Sequence, residues 1–218
     1  MAFWEPCFGK DNECCDCECS WTKFLIWSAV VLLVGGLVAV LVIAFAVVFP
    51  PKAKADDAVL QRFALAPGNP AANSTISYNL TLTLSVRNPN WAMGATFRSL
   101  EADYLFDGQR FDRVDVAAPG YVLPARKTAV FRIASGADEA SVMLGSAGVK
   151  AYRRQSGKGV FDVEAALSGQ VKYQLHSTWC RLEARCPLKL QLAGGQDAAA
   201  VVFQKTTCEL LRSSQRGC

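Results

Sequence analysis

Four closely spaced cysteines near the N-terminus are the residues of this sequence best suited to chemistry. They lie in the stretch NECCDCECSW and are Cys14, Cys15, Cys17 and Cys19. Such thiols can bind a metal, take part in redox chemistry, carry fatty acyl chains or remain inert. Zinc sites usually use C-x2-C pairs separated by a loop, so adjacent and alternating cysteines close a tetrahedron poorly. If these residues lie in the cytosol beside a membrane span, S-acylation is the favoured interpretation.

A second group of cysteines lies near the C-terminus and implies a separate chemistry. Its members are Cys180, Cys186, Cys208 and Cys218. In an oxidising compartment Cys186 and Cys208, each on a predicted strand, could bridge the last hairpin or two sheets of a sandwich, and Cys180 and Cys218 could form a second bridge. Four cysteines allow three pairings, and the sequence does not choose among them. Buried free thiols are the alternative.

No combination of residues in the sequence supports catalysis. His176 is the only histidine, which excludes a multi-histidine metal site. Asp162 and Glu164 share one face of a predicted strand and could pair as acid and base, but a solvated strand face explains them as well. The glycine-rich segments lack the spacing of a phosphate-binding loop. We therefore expect a protein that is not an enzyme and that has neither a cofactor nor a metal site.

An apolar segment without a single charged side chain follows the first cysteine group. It covers residues 24–49 and reads FLIWSAVVLLVGGLVAVLVIAFAVVF. A helix needs about 20 apolar residues to cross a bilayer, and the two prolines that follow would end it. A cleaved signal peptide is the alternative, because Ala44-Phe45-Ala46 has the small residues of a cleavage site. Since the segment exceeds the about 7–15 residues of a signal peptide core, we predict one transmembrane helix.

The orientation of this span follows from two glycosylation sequons on its C-terminal side. Asn73 and Asn79 each have a threonine two positions later. They favour a cytosolic N-terminal tail and an extracellular C-terminal domain. The lysine and arginine count leans the other way, since two lysines precede the span and Lys52, Lys54 and Arg62 follow it. A bias this small discriminates poorly, so we give the sequons more weight.

Beyond the span, the clearest pattern has a period of two residues. Residues 76–87 read ISYNLTLTLSVR, with apolar residues on one face and polar residues on the other, which predicts a half-buried antiparallel strand. This phase places Asn79 on the solvent face. Asn88, Pro89 and Asn90 follow, and we interpret this NPN turn as a strand terminator because proline supplies no hydrogen-bond donor to a ladder.

Further alternating runs predict a seven- or eight-strand antiparallel sandwich. Residues 100–106 lead into a hairpin turn at Asp107-Gly108. Later strands are predicted in TAVFRIAS, VFDVEAALSGQVKYQL, RCPLKLQL and AAVVFQKTTCEL, the last two as a pair. Gly169 fits a bulge. Residues 135–157 have early acids and late bases, the charge order of one or two short helices.

The sequence therefore divides into five segments. We expect a Cys-rich cytosolic tail (1–23), a transmembrane helix (24–49), a linker with a candidate first strand at 59–65 (50–72), a β-sandwich (73–212) and a polar C-terminal tail (213–218). The fold class is mainly β, with a single N-terminal transmembrane helix and a short helical crossover in the sandwich. The formal net charge is +4, and the basic residues are scattered, so we expect the lipid bilayer and not nucleic acid as a partner.

With these elements placed, the chain resembles the plant NDR1/HIN1-like proteins, which carry an LEA-2 (late embryogenesis abundant, group 2) domain. The resemblance is carried by the strand that ends in NPN and by SLEADYLFDGQRF, YVLPARKTAVFRIAS, RCPLKL and TTCELL. It implies a fibronectin-type-III-like sandwich, a plasma-membrane location and a role in defence or stress responses, without catalysis.

These features favour a membrane-anchored interaction protein whose sandwich contacts proteins or cell-wall polymers through its loops. The alternative is a protective, desiccation-associated structural protein without a specific partner. Homo-oligomerisation is compatible with either function.

Overall fold

The computed structural model describes residues 18–66, 74–193 and 203–211. Within those ranges it has two helices and ten strands. The chain divides into two compact units, Met1–Ile43 and Ala44–Cys218. The first unit contains most of helix α1, and the second contains all the described strands.

Helix α1 runs from Glu18 to Ala46 and is long and apolar enough to cross a membrane. Its segment Trp21–Ala46 has 26 residues, which at about 1.5 Å per residue gives about 39 Å of helix, more than the roughly 30 Å of a bilayer core. The helix ends before the predicted boundary at residue 49. The reason is steric, because the ring of Pro50 would clash with the carbonyl of Ala46 if the helix continued.

The second unit is a sandwich of two antiparallel sheets, as predicted. The first sheet has the order β6-β2-β1-β9, formed by Lys52–Leu65 (β1), Ser74–Arg87 (β2), Thr128–Val142 (β6) and Thr206–Thr207 (β9). The second has the order β10-β8-β7-β3-β4, with β5 beside β3; its strands are Ala95–Phe106 (β3), Gln109–Ala117 (β4), Val122–Leu123 (β5), Val160–Tyr173 (β7), Cys180–Gln191 (β8) and Glu209–Leu210 (β10). Helix α2, Gly145–Ser156, connects β6 to β7.

The core lies between the two sheets and is built by the predicted alternation. On β2 every second side chain is buried: Ile76, Tyr78, Leu80, Leu82, Leu84 and Val86. On β3 the same holds for Leu100, Ala102, Tyr104 and Phe106. At the end of β3, Asp107 and Gly108 both have positive φ (49° and 75°), which is the geometry of the tight hairpin turn expected there.

Strand β1 is longer than predicted and differs in phase. Residues 52–65 pair with β2 along their whole length, so they belong to the sheet and not to a linker. The inward side chains are Ala53, Ala55, Ala58, Leu60 and Phe63. Register shifts between Ala55 and Asp57 and between Leu60 and Arg62 break the two-residue period, so the sequence indicated only residues 59–65 as a candidate strand.

Residues 135–142 were predicted to be helical, and this was wrong. They continue β6, pairing with β2 as far as Val142 opposite Ser74. The long strand β2 offers a ladder of backbone groups over its whole length, and this tertiary pairing outweighs the local charge order. The helix predicted there exists only from Gly145 to Ser156.

Gly169 was predicted to mark a bulge, but β7 pairs with β8 without interruption. The irregularity lies on the neighbouring strand, between Phe97 and Ser99 of β3. Glycine is required at 169 for another reason. A Cβ atom there would lie 2.4 Å from the carbonyl oxygen of Ser99, so the two backbones approach too closely for any side chain.

The predicted last strand, AAVVFQKTTCEL, is also different in the part that the structure describes. Residues 206–207 (β9) pair with β1 in the first sheet, and residues 209–210 (β10) pair with β8 in the second. The chain therefore changes sheets at Cys208. Its backbone N–H donates to the carbonyl of Ala53, 3.1 Å away, so two short pairings replace one long hairpin.

Candidate functional site

Two asparagines of the NPN turn form a buried hydrogen-bonded centre at one end of the sandwich. Asn88 and Asn90 are 0% and 1% exposed, and apart from tyrosines they are the only buried polar side chains in the part of the chain that the structure describes. The Asn88 amide donates to the carbonyls of Met93 (2.9 Å), Leu123 (3.2 Å) and Pro124 (3.3 Å). It thus holds together the segments that follow β2 and β5.

Asn90 connects this centre to the segment that precedes β1. Its Oδ1 accepts from the Phe49 N–H, and its Nδ2 donates to the Phe49 carbonyl, each at 2.8 Å. Nδ2 also donates to Oδ1 of Asn88 at 2.9 Å. The hydroxyl of Tyr173 donates to the same Phe49 carbonyl at 3.3 Å. The NPN turn is therefore a structural clamp on Phe49, a role beyond the strand terminator that the sequence indicated.

Two tryptophans in the segments connected by this clamp, or next to them in sequence, contact basic side chains. Trp91 directly follows Asn90 and is 70% exposed, with the Arg126 guanidinium 5.2 Å from its ring centroid. Arg98 and Lys172 both lie 5.9 Å from the Trp179 ring. Sequence reasoning missed these residues, because residue type alone does not distinguish an exposed tryptophan from a buried one.

The late cysteines lie where the last segment crosses between the sheets. Cys186 on β8 and Cys208 are joined in a disulfide, with Cα atoms 4.2 Å apart, and both are buried. The disulfide attaches the segment in which the chain changes sheets, around Cys208, to strand β8 of the second sheet. Cys180 is also disulfide-bonded, and because its predicted partner Cys218 lies outside the described residues, that pairing stays a prediction.

The tail cysteines cannot be placed in the same way. Cys14, Cys15 and Cys17 lie outside the described residues, and of Cys19 only the backbone is described, in the first turn of α1. Their S-acylation stays a prediction.

One of the two sequons lies on a described strand. Asn79 is exposed on the outer face of β2, between the buried residues Tyr78 and Leu80. It lines an open depression of about 460 Å³ together with Arg62 and Asp138, so a sugar attached there would not disturb the core. Asn73 lies outside the described residues.

A half-buried polar chain links the two sheets near the opposite end. The Tyr78 and Ser135 hydroxyls lie 3.1 Å apart, and the Ser135 hydroxyl donates to the Asp112 carboxylate. Burial raises the pKa of Tyr78 to about 12, and it also raises the pKa of Tyr104. Both phenols stay protonated near neutral pH, so this chain is a structural network and does not supply a general base.

The residues considered for catalysis are not assembled into a site. Glu164 is paired with Arg185 at 3.3 Å, and Asp162 accepts from the Gln155 amide at 3.4 Å. Within the described ranges no group of three His, Cys, Asp or Glu is placed to hold a metal ion. That the chain is not an enzyme stays a prediction.

Comparisons with known proteins identify the family of this chain. The family model described as "Late embryogenesis abundant protein", LEA_2, matches residues 83–192, which is half of the chain. NDR1/HIN1-like protein 3 of Arabidopsis thaliana is 26% identical over 194 residues, covering 86% of this chain and 78% of the relative. A crystal structure of a protein from Archaeoglobus fulgidus covers 61% of this chain and 98% of its own, with a TM-score of 0.29 and 8% identity. The family match confirms the resemblance drawn from the sequence, and this chain belongs to the LEA-2 family of late embryogenesis abundant proteins.

Proposed function

We propose that this protein is a single-pass, non-catalytic plasma-membrane protein whose sandwich lies outside the cytosol. It would act in plant defence or stress responses by contacting proteins or cell-wall polymers. The observation that carries the proposal is the short connection between the apolar helix and the sandwich. Helix α1 ends at Ala46, Phe49 is clamped by Asn90, and β1 begins at Lys52.

The length of the apolar helix favours an anchor over a removable leader, because Trp21–Ala46 has 26 residues and the core of a signal peptide has about 7–15. Phe49 lies beyond the small residues Ala44-Phe45-Ala46 and therefore belongs to the folded chain in either case. Here both polar backbone groups of Phe49 are bound by one buried side chain, and Val48 packs against the core. Cleavage at the small residues Ala44-Phe45-Ala46 would leave this segment at a new N-terminus, where its order would depend on the clamp alone.

Two features support a location outside the cytosol. The disulfide between Cys186 and Cys208 is of a kind that persists in oxidising compartments. The exposed position of Asn79 on β2 is compatible with a glycan. On this topology the tail is cytosolic, and acylation of Cys14, Cys15, Cys17 and Cys19 would attach it to the inner leaflet.

The role in defence or stress is supported by the family. LEA-2 membership and the similarity to NDR1/HIN1-like protein 3 both point to that class of response. A sandwich presents its loops at two ends, and loops on a rigid scaffold are common binding surfaces.

Anchorage is tested by placing charge inside α1. In Leu32→Arg/Val38→Arg each arginine would cost about 3 kcal/mol at the centre of a span. We expect the wild type to resist extraction from membranes by alkaline carbonate, and we expect this variant to be extracted. Val130→Arg, at an exposed position of β6, is the matched control and should stay in the membrane.

The same variants separate anchored action from general protection. If the extracted variant still folds but fails to restore the defence or stress response of a null plant, the anchored function is supported. Full restoration by the extracted variant would instead favour a protective protein that needs no anchor.

A further inference from the structure

One end of the sandwich, built from four chain segments, contains basic residues but no acidic ones. We call residues 47–54, 87–98, 117–128 and 172–181 together the basic end. These segments contain Lys52, Lys54, Arg87, Arg98, Arg126, Lys127, Lys172 and Arg181, and neither aspartate nor glutamate occurs in them. Arg181 pairs with Glu183, just outside the last segment. The chain as a whole has 23 basic and 19 acidic residues, so its composition alone does not explain this asymmetry.

Hydrogen bonds show that the four segments form one surface. Phe49 is bound by Asn90 and by Tyr173, which connects three of them. The backbone N–H of Arg126 donates to the carbonyl of Asn90 at 3.1 Å and adds the fourth. Gln174 binds Gly94 through both its backbone and its side chain.

Apolar side chains protrude from the same end. Leu175 is 81% exposed and Trp91 is 70% exposed, and Tyr121 and Val122 of the third segment are also exposed. Leu175 also has φ = 72°, a left-handed conformation that is rare for a bulky residue. The turn closed by the bond from the His176 N–H to the Tyr173 carbonyl sets this φ. Packing within the fold does not explain why an exposed leucine occupies that position of the turn.

In the anchored protein proposed above, the covalent chain would bring the first of these segments close to the bilayer. Phe49 follows the last helical residue, Ala46, by three positions, so the two lie within about 11 Å even in an extended chain. Trp91 is the neighbour of the residue that binds Phe49. Tryptophan and tyrosine are enriched at the headgroup level of membranes, and lysine and arginine near a membrane are attracted to anionic lipids.

We propose that the basic end docks on the outer leaflet of the bilayer that α1 crosses, with Arg126, Lys127 and their neighbours on negatively charged lipid headgroups of that leaflet. Trp91 and Leu175 would lie at the boundary between headgroups and acyl chains. This inference rests on the anchorage proposed above. It assigns the membrane-proximal loops to lipid and leaves the distal end of the sandwich for a protein or wall partner.

Hydrogen exchange of the full-length protein in nanodiscs tests this docking. One set contains phosphatidylcholine alone, and the other also contains phosphatidylglycerol. We expect amides in 88–94, 119–127 and 174–179 to exchange several-fold more slowly with the anionic lipid. The slowing should disappear at high salt, because headgroup attraction is screened. The distal turn at Asp107-Gly108 should not change.

Charge reversal supplies matched variants. Arg126→Glu/Lys127→Glu should abolish the slowing, and it leaves the Arg126 backbone bond to Asn90 in place. Arg154→Glu/Lys158→Glu alters two exposed basic residues beyond β6, at the opposite end of the sandwich, and should leave the slowing intact. If both variants lost the slowing of amide exchange to the same extent, the effect would depend on net charge alone, and the proposal would be overturned.

The remaining outcomes are also decisive. Equal loop exchange in both lipids, with the chain stably incorporated, would overturn docking while leaving anchorage intact. If the loop amides were protected only after a wall polymer or a protein was added, the surface would bind that partner, and membrane docking would again be overturned. Failure of the chain to incorporate at all would overturn both anchorage and docking.

Discussion

The side chain of Asn90 binds the backbone of Phe49 at both its N–H and its carbonyl, each at 2.8 Å, across 41 residues of sequence. The Asn88 side chain accepts a hydrogen bond from the Asn90 amide and donates to three backbone carbonyls. Two adjacent amides thus fix the segment that leads from the apolar helix into the first strand.

Asn90→Ala should destabilise the sandwich by about 2–3 kcal/mol. The substitution removes the bonds to Phe49 and to Asn88 and leaves the partly buried Phe49 N–H without its partner, whereas the Phe49 carbonyl keeps the bond from Tyr173. Urea unfolding of the full-length protein in detergent measures the change. Asn79→Ala, at an exposed position of β2, is the matched control and should change the free energy of unfolding by less than about 0.5 kcal/mol. Equal effects of the two substitutions would show that the clamp does not stabilise the fold.

Gly169→Ala should destabilise the sandwich by about 3 kcal/mol, because the new Cβ atom would overlap the Ser99 carbonyl oxygen 2.4 Å away. That oxygen belongs to the backbone of a central strand and has little room to move. The control is Gly157→Ala, where the nearest atom to an added Cβ lies at an ordinary 3.6 Å. Thermal unfolding should show a lower midpoint for the first variant only. A well-tolerated alanine at 169 would contradict the observed spacing of β3 and β7.

Strands with an unbroken period could be predicted from the sequence. Residues 76–87 and 100–106 alternate without interruption, and their buried positions in the structure are the apolar ones. The Asp107-Gly108 turn was equally clear, because few residues accept two consecutive positive φ angles. In these places local chemistry and tertiary structure agree.

Other features depend on contacts that a pattern search does not reveal. The two register shifts in β1 change its phase, so Leu60 and Phe63 point inward and Val59 does not. Residues 135–142 look helical by charge but are held by β2. Leu123 and Pro124, which Asn88 binds, and Phe49, which Asn90 binds, lie 35 to 41 residues away, and a local motif cannot identify them.

Loss of the disulfide between Cys186 and Cys208 should lower the free energy of unfolding by about 3 kcal/mol, given the sequence separation of 22. Cys186→Ala/Cys208→Ala, compared with the wild type by urea unfolding, measures this loss. The matched control is the reduced wild type. Its free energy of unfolding should fall by a similar amount, plus the contribution of the disulfide at Cys180, which reduction also breaks. An unchanged double variant would mean that the crossover at Cys208 is held by its backbone bonds alone.

Leu175→Asn should raise the free energy of unfolding of the sandwich in detergent by about 1 kcal/mol, and it should weaken membrane docking. Asparagine accepts the left-handed conformation seen at Leu175 more readily than leucine does. Met143→Asn, at an exposed position with ordinary φ, should show neither effect. Thermal unfolding in detergent measures the first effect, and loop exchange in anionic nanodiscs measures the second. A destabilised Leu175→Asn protein would show that this leucine serves the fold.

The central claim, that α1 spans a membrane with the sandwich outside the cytosol, is tested most directly by glycosidase treatment of the full-length protein expressed in plant cells. Asn79→Gln, Asn73→Gln and the double variant identify the origin of each shift in mobility. The account predicts a glycosidase-sensitive shift that decreases in Asn79→Gln and is absent in the double variant. It also predicts that the tail cysteines do not react with an impermeant thiol reagent on intact cells. An unshifted wild-type protein whose tail thiols are labelled from outside would contradict it.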